Sequence, residues 1–299
     1  MSRSSSQAVS CKTWLAAKGR EITCGERPLV MGIVNVTDDS FYDGGRYLDS
    51  ERAIAHAIEL LEQGADILDI GAESSRPGAH PVKEEDELGR VVPVIAELAR
   101  RITVPISVDT TKSRVAQAAL DAGASIVNDV SALRGDTAMA SVVARSGAGV
   151  VLMHMQGTPQ TMQTAPTYGE VVAEVMQFFN ERMRVAMEAG IAQMNIVLDP
   201  GIGFGKLLEH NLELLNRLPE LAILNRPLLV GVSRKAFIGQ LIGRSAVYRE
   251  WGTAAAVALA VDRGARVLRV HDVGMMADVV KVAAAIGAGA PSGRKAHDA

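Results

Sequence analysis

The sequence predicts an α/β protein, a closed (β/α)8 TIM barrel with a short N-terminal hairpin, and three observations point there. Eight short apolar runs each carry or end in polar residues. Helical patterns separate them, as parallel strands require, because a parallel pair cannot be joined by a tight turn. Gly-Ala recurs just ahead of a strand at Gly64-Ala65, Gly123-Ala124, Gly147-Ala148 and Gly264-Ala265, where glycine stops a helix in a left-handed conformation it adopts cheaply. Eight strand–helix units in roughly 250 residues fit this barrel, with an open doubly wound sheet as the alternative.

Residues 1–10 are polar and serine-rich. Lys12 to Thr23, turning near Lys18-Gly19, reads as a hairpin that plugs the N-terminal end of the barrel. The first barrel strand is the run Leu29 to Val36, small and β-branched as suits burial on both faces. It empties into a loop carrying Asp38, Asp39 and Asp43 and ending at Gly44-Gly45. Ser50 is expected to cap a helix in which Ile54, Ala57, Ile58 and Leu61 share one face. Ile67 to Ile70 leads into the turn-rich loop Gly71 to Gly78, and the same phrase repeats through six further runs. These are 106–109, 126–129, 150–154, 196–199, 228–233 and 267–271. The clearest helix spans Thr167 to Ala189. It opens with a Thr-x-x-Glu capping box at Thr167 and Glu170 and buries Val172, Val175, Met176, Phe179 and Met183. One domain is expected over 11–290, between flexible ends at 1–10 and 291–299.

Composition excludes several classes. A chain of 299 residues with 48% hydrophobic content and a net charge of -3 describes a soluble globular protein without the basic excess of a nucleic-acid surface. Aromatics at 4% disfavour base stacking. Cys11 and Cys24 lack neighbours at metal-ligand spacing, and the hairpin register does not place them opposite, so two reduced thiols are expected. Residues 1–10 lack an apolar signal core, and no run reaches the ~18 apolar residues of a membrane span, so a cytoplasmic protein is expected.

In a barrel the chemistry sits at the C-terminal ends of the strands. Those ends carry Asn35, Asp69, Asp109, Asn128, Asp129, His154, Asp199, Ser233, Arg269 and His271, which are expected to converge on one mouth. Asp109, Asn128 and Asp199 offer carboxylate and amide groups suited to a heterocycle rich in N–H donors; the bland alternative is that each caps the next helix or pairs with a lysine. Ser233-Arg234-Lys235 and Arg269-x-His271 end strands seven and eight, where barrels bind phosphates, and suit an anionic leaving group. A surface salt-bridge cluster is the alternative, and Arg234 is read as outward and structural. Asn35 with Asp38, Asp39 and Asp43 fits either a hard-cation site or ordinary turn chemistry, and spacing leaves both open. The run Asp199 to Lys206 lacks the spacing of a dinucleotide fingerprint, and no Walker A or His-Glu-x-x-His motif occurs. His56 reads as a solvated helix residue.

Together the motifs resemble a known family. Asn35-Val36-Thr37-x-Asp39-Ser40-Phe41, Glu73 to Gly78, Ser107-Val108-Asp109, Asn128-Asp129, Met153 to Gly157, Asp199-Pro200-Gly201-x-Gly203-Phe204-Gly205-Lys206, Ser233-Arg234-Lys235 and Arg269-Val270-His271-Asp272 resemble dihydropteroate synthases in order and spacing over roughly residues 28–285. The resemblance implies a transferase that condenses 6-hydroxymethyl-7,8-dihydropterin diphosphate with p-aminobenzoate, and it implies Mg2+, with Asn35 nearest the metal. It assigns Asp109, Asn128, Met153, Asp199, Gly231, Lys235 and Arg269 to the pterin. The diphosphate falls to Asn35, Arg76, Arg269 and His271, and p-aminobenzoate to Ser75, Arg76, Pro77, Phe204, Ser233 and Lys235. Asp109, Lys235, Arg269 and His271 would carry the chemistry, in a homodimer whose substrates are small molecules.

The chain departs from the family pattern at three places. Asp38 stands where proline is usual, Ser75 where threonine is usual and Ala72 where glycine is usual. The first loop then reads as a lid in which Asp38 adds charge and removes a fixed φ. Two other readings are a methyltetrahydrofolate:corrinoid methyltransferase and a silent pterin-binding paralogue. The Ser75-Arg76-Pro77 and Ser233-Arg234-Lys235 motifs argue against both.

Overall fold

A computed structural model describes residues 12–15, 19–25, 27–36, 45–73, 78 and 81–289. The chain opens with an antiparallel pair, β1 (Lys12–Leu15) and β2 (Glu21–Cys24), in which Lys12 stands opposite Cys24. Cys11, residues 1–10 and 290–299, and Asp38, Asp39 and Asp43 of the expected lid lie outside the described residues. Eight parallel strands follow: β3 (Leu29–Asn35), β4 (Ile67–Gly71), β5 (Ile106–Asp109), β6 (Ile126–Asp129), β7 (Gly149–Met153), β8 (Ile196–Asp199), β9 (Leu229–Val230) and β10 (Val267–Val270). From β3 to β8 each strand pairs with its successor, and β10 pairs with both β3 and β9. The gap between β8 and β9 is bridged at Leu198 and Leu228, where the Leu198 amide donates to the Pro227 carbonyl over 3.0 Å. The sheet closes on itself, as the eight apolar runs predict.

Helices cover the outside: α1 (Gly45–Glu62), α2 (Glu84–Arg101), α3 (Ser113–Ala122), α4 (Met139–Ser146), α5 (Val171–Glu188), α6 (Leu208–Asn216), α7 (Ala236–Ile242), α8 (Glu250–Asp262) and α9 (Val273–Ala288). Both α7 and α8 fall between β9 and β10. The four predicted glycine stops all have positive φ, at 101°, 124°, 63° and 96° for Gly64, Gly123, Gly147 and Gly264.

Two predicted helix starts are corrected. Ser50 lies inside α1, which begins at Gly45; Arg46 and Leu48 favour helix, and the cap signal at Ser50 yields to that context. Glu170 is itself the cap of α5, its carboxylate accepting from the Ala173 amide, while the Thr167 amide donates to Gln156 Oε1 over 2.9 Å. His56 is exposed on α1 beside Glu59, as expected.

Strand residues alternate between two destinations, because successive side chains leave opposite faces of a pleated sheet. Those turned outward, such as Leu68, Val127, Leu152 and Leu268, pack with Leu60, Val91, Val94 and Leu98 of the helices. Those turned inward at the N-terminal end, Met31, Ile67, Ile126, Val151, Val197, Leu229 and Val267, meet Trp14, Ile22 and Cys24 of the hairpin. The hairpin therefore plugs the barrel floor. Trp14 is fully buried and its indole N–H donates to the Asn195 carbonyl over 2.9 Å. A Cβ placed on Gly149 would lie 2.8 Å from that indole nitrogen, so glycine is what leaves room for the ring.

Replacing Trp14 with alanine empties the floor and orphans the Asn195 carbonyl. The expected cost is about 3–5 kcal/mol of unfolding free energy, read from urea titration. A loss below about 1 kcal/mol would show that the hairpin rests on the barrel without stabilising it.

Candidate active site at the C-terminal mouth

Pleat parity carries polar residues inward above the apolar floor. Asp69 of β4 is fully buried, and its Oδ2 accepts from Arg269 Nε of β10 at 2.6 Å and from Asn128 Nδ2 of β6 at 3.0 Å. Arg269 Nη2 donates to Asp109 Oδ2 of β5 at 2.7 Å. Three strands, β4, β5 and β10, are thus joined through one guanidinium, and β6 is added through Asp69. Burial works against the charge on Arg269, but Asp69 and Asp109 overcome it and leave the guanidinium held above its ordinary range. Burial pushes the Asp109 carboxyl up to about 7, against the opposing pull of Arg269.

A second group stands opposite. Asp199, nearly buried at the end of β8, accepts from the Gly201 amide at 2.7 Å, and burial raises its pKa against that bond and against Lys235. Lys235 Nζ lies 3.9 Å from the Phe204 ring centroid, a cation–π contact. Burial lowers it to about 8, with Asp199 opposing. Phe204 packs with Met153, Met155 and Met162. Gly231 follows β9 beside Arg269, whose Cβ would be 3.9 Å from one added there. Ser233 Oγ lies 3.0 Å from His271 Nδ1 and accepts from the His271 amide at 3.2 Å. Asn35 ends β3 exposed at the rim.

Not every predicted strand end reaches the mouth. Asp129 and His154 are one residue out of phase with the inward-facing Asn128 and Met153, so the pleat turns them away. The Asp129 carboxylate accepts from Ser131 and from the Leu133 amide, bracing a turn in which Ala132 and Leu133 have positive φ. His154 packs edge-on against Phe178, with ring centroids 4.8 Å apart. Arg234 also faces outward, as expected, in an ion pair with Asp272. Ser75, Arg76 and Pro77 lie outside the described residues. A cavity of about 400 Å³ opens beside Asp109, bordered by Thr110, Val130, Ser131, Arg134 and Met155.

Sequence reasoning gave two features no role. Asp69 appears there only as a strand end, although counting by twos from Ile67 turns it inward beneath Asp109. Glu73 and Glu87 share the ammonium of Lys112, and Glu73 also accepts from the Val82 amide at 3.1 Å. That network ties both stems of the segment carrying Ser75, Arg76 and Pro77. Its members lie in two loops and on α2, so no local motif announces it.

Residues 31–271 match the family described as pterin binding enzymes. The chain is 46% identical over 263 residues to the dihydropteroate synthase of Synechocystis, covering 88% of this chain and 91% of the relative. It is 47% identical over 255 residues to that of Escherichia coli, covering 85% and 90%. The chain belongs to the dihydropteroate synthase family. Solved family structures share the barrel: the Yersinia pestis enzyme in a sulfonamide drug complex superposes with a TM-score of 0.85 at 43% identity, covering 90% of this chain and 97% of that one. The Xanthomonas albilineans enzyme in complex with 7,8-dihydropteroate gives 0.80 at 47%, covering 89% and 97%.

In this member of the dihydropteroate synthase family the buried pair of Asp69 and Arg269 fixes the guanidinium. Truncating Asp69 to alanine leaves the Asn128 amide without its acceptor and Arg269 with one carboxylate in place of two. Breaking a buried pair from one side costs about 3 kcal/mol or more. Urea unfolding should read that loss, and a change below about 1 kcal/mol would mean that Asp109 alone balances Arg269.

Proposed function

We propose that the chain condenses 6-hydroxymethyl-7,8-dihydropterin diphosphate with p-aminobenzoate, yielding 7,8-dihydropteroate and pyrophosphate in folate biosynthesis. The observation that carries this reading is the convergence of Asp109, Asn128, Asp199, Lys235 and Arg269 from five strand ends on one mouth. Carboxylates and an amide suit the N–H edge of a pterin. Arg269 offers a planar face for ring stacking and a charge for phosphate oxygens, and His271 with Asn35 extends the anion site along the rim. Phe204, Ser233 and Lys235 border the other side, where p-aminobenzoate would approach with Ser75, Arg76 and Pro77.

The bond from the pterin methylene to the diphosphate oxygen breaks, and its electron pair leaves with pyrophosphate. Positive charge develops on the methylene carbon, and the Asp109 carboxylate stabilises it. The neutral arylamine then attacks that carbon, forming the new C–N bond, and releases its proton to solvent. Arg269, His271 and Lys235 meet the charge gathering on the leaving group.

Magnesium fits this site as a companion of the diphosphate. Asn35 supplies an amide oxygen at the exposed end of β3, and among the described residues no three His, Cys, Asp or Glu side chains cluster as a cage. An amide oxygen suits a hard cation, so Asn35 would help hold the metal, which would supply charge to neutralise the leaving group. Among the described residues no helix is long and apolar enough to cross a membrane, which accords with the cytoplasmic setting we propose.

Pyrophosphate release that requires p-aminobenzoate is the expected result; its absence with both substrates present would reduce the protein to a pterin binder. Turnover needs Asp109 ionised and Lys235 charged. Hence kcat/KM for the pterin diphosphate should rise as pH climbs through about 7 and fall as it passes about 8. Asp109→Asn should lose about 100-fold in turnover and also lose the acid limb. Near-normal turnover in that variant would refute the role.

We also propose a homodimer through the helices after β9. Val247, Tyr248 and Trp251 are 63%, 63% and 77% exposed, an apolar group next to Leu241 and Ile242 of α7. Sedimentation should show a dimer that Trp251→Glu converts to monomer. A monomer in the unaltered protein would end that proposal.

A further inference from the structure

Lys206 is a cation that the proposed chemistry leaves unused. It sits in the segment between β8 and α6 and is 3% exposed. Its Nζ donates to the carbonyls of Gly201 and Phe204 at 3.0 Å each and to the carbonyl of His154 at 3.3 Å, and lies 2.9 Å from His154 Nδ1. Three N–H donors facing four acceptors leave no donor for a ligand. Burial pushes Lys206 down to about 7, with Asp199 opposing. Burial, Lys206 and Arg134 together push His154 to about 2, so its ring stays neutral and Nδ1 can accept.

These acceptors come from two neighbouring strand ends. His154 follows β7, whereas Gly201 and Phe204 follow β8. The two segments touch so closely that a Cβ on Gly201 would lie 2.0 Å from the His154 carbonyl oxygen, and one on Gly205 would lie 2.5 Å from that of Gln156. Both glycines have positive φ, 66° and 58°. The outer side of the segment is held separately, by Gln163 on the Gly203 carbonyl at 2.8 Å and by Tyr168 on the Gly205 carbonyl at 2.6 Å. The inner side presents the Phe204 ring to Lys235. The His154 amide donates to the Asp199 carbonyl at 2.9 Å where the two strands end, and beyond that bond Lys206 reaches across the joint from within, bonding on one side to His154 and on the other to Phe204 itself.

We propose that Lys206 is a positioning residue: it pins the end of β7 to the segment after β8 and thereby fixes the Phe204 ring against Lys235 at the p-aminobenzoate side of the mouth. This inference rests on the function proposed above for that side. Lys206 binds backbone on both sides of the joint, so its loss frees Phe204 while leaving Asp69, Asp109, Asn128 and Arg269 in place.

Lys206→Met keeps the stem and removes the donors. Its KM for p-aminobenzoate should rise about tenfold or more, with the KM for the pterin diphosphate within about threefold of the unaltered protein, since displacing a positioning group by an ångström costs up to about 100-fold. Lys206→Gln, which restores a donor, should recover part of the loss. In the double variant with Phe204→Leu the two effects on that KM should not add, because both act through one ring. Equal losses for both substrates, or additive effects, would overturn the inference. Amide hydrogen exchange over Gly201 to Gly205 reads the joint independently of turnover and should quicken in Lys206→Met; unchanged exchange would also overturn it. If neither variant folds, Lys206 is a folding residue and the inference fails. An unaltered protein that never uses p-aminobenzoate would overturn the functional reading instead, with the exchange result still deciding the joint.

Discussion

A buried carboxylate, Asp69, sets the terms for everything above it in the barrel. Its strand register aligns it with Ser107, one tier beneath Asp109, where charge is costly unless it is paired and hydrogen-bonded. Arg269 meets that requirement at Oδ2 from the far side of β3, while Oδ1 has no hydrogen-bond partner among the described residues, and Nη2 of the same guanidinium donates to Asp109. A planar fork held at two of its nitrogens by two carboxylates has little freedom to rotate. The orientation of the mouth's central cation is therefore decided by a residue too deep to touch a substrate.

The same enclosure acts in opposite senses on the two signs of charge. It raises Asp109 and Asp199 and lowers Lys235, because desolvation disfavours whichever form is charged. Arg269 escapes this through two carboxylate partners. Asp109, Asp199 and Lys235 are drawn toward neutrality in one mouth, a condition under which modest changes in the site's occupancy alter protonation. A leaving group carrying several negative charges is such a change, and it favours the charged form of Lys235 as it binds.

Strand positions and helix stops were legible in the sequence because each rests on a local requirement: a run apolar on both faces, or a backbone angle that glycine adopts cheaply. The plugging hairpin was legible for the same reason, with Trp14 and Ile22 leaving one face of a two-stranded ribbon. What escaped was parity and partnership. Asp129 and His154 end apolar runs as plainly as Asn128 and Met153 do, yet a shift of one residue sends a side chain to the opposite face. Ser50 resembled a helix cap until the residues before it proved helical. Glu73 and Lys112 meet Glu87 of α2 from two separate loops, and Asp69 reaches Arg269 across 200 positions of sequence, so no spacing rule encodes either contact.

Two lysines separated by 29 positions in the chain show how differently one side-chain type serves one mouth. Lys235 extends over the Phe204 ring, and an aromatic face draws on a cation's charge without claiming its N–H bonds, so donors remain for a ligand. Lys206 faces four acceptors and has none to spare. Both are drawn down in pKa by burial, and Asp199 opposes the shift in each; electrostatics alone would not tell them apart. Hydrogen-bond capacity does. A lysine whose donors are all taken by backbone shapes the pocket wall, whereas one that rests on a ring can still answer to what enters.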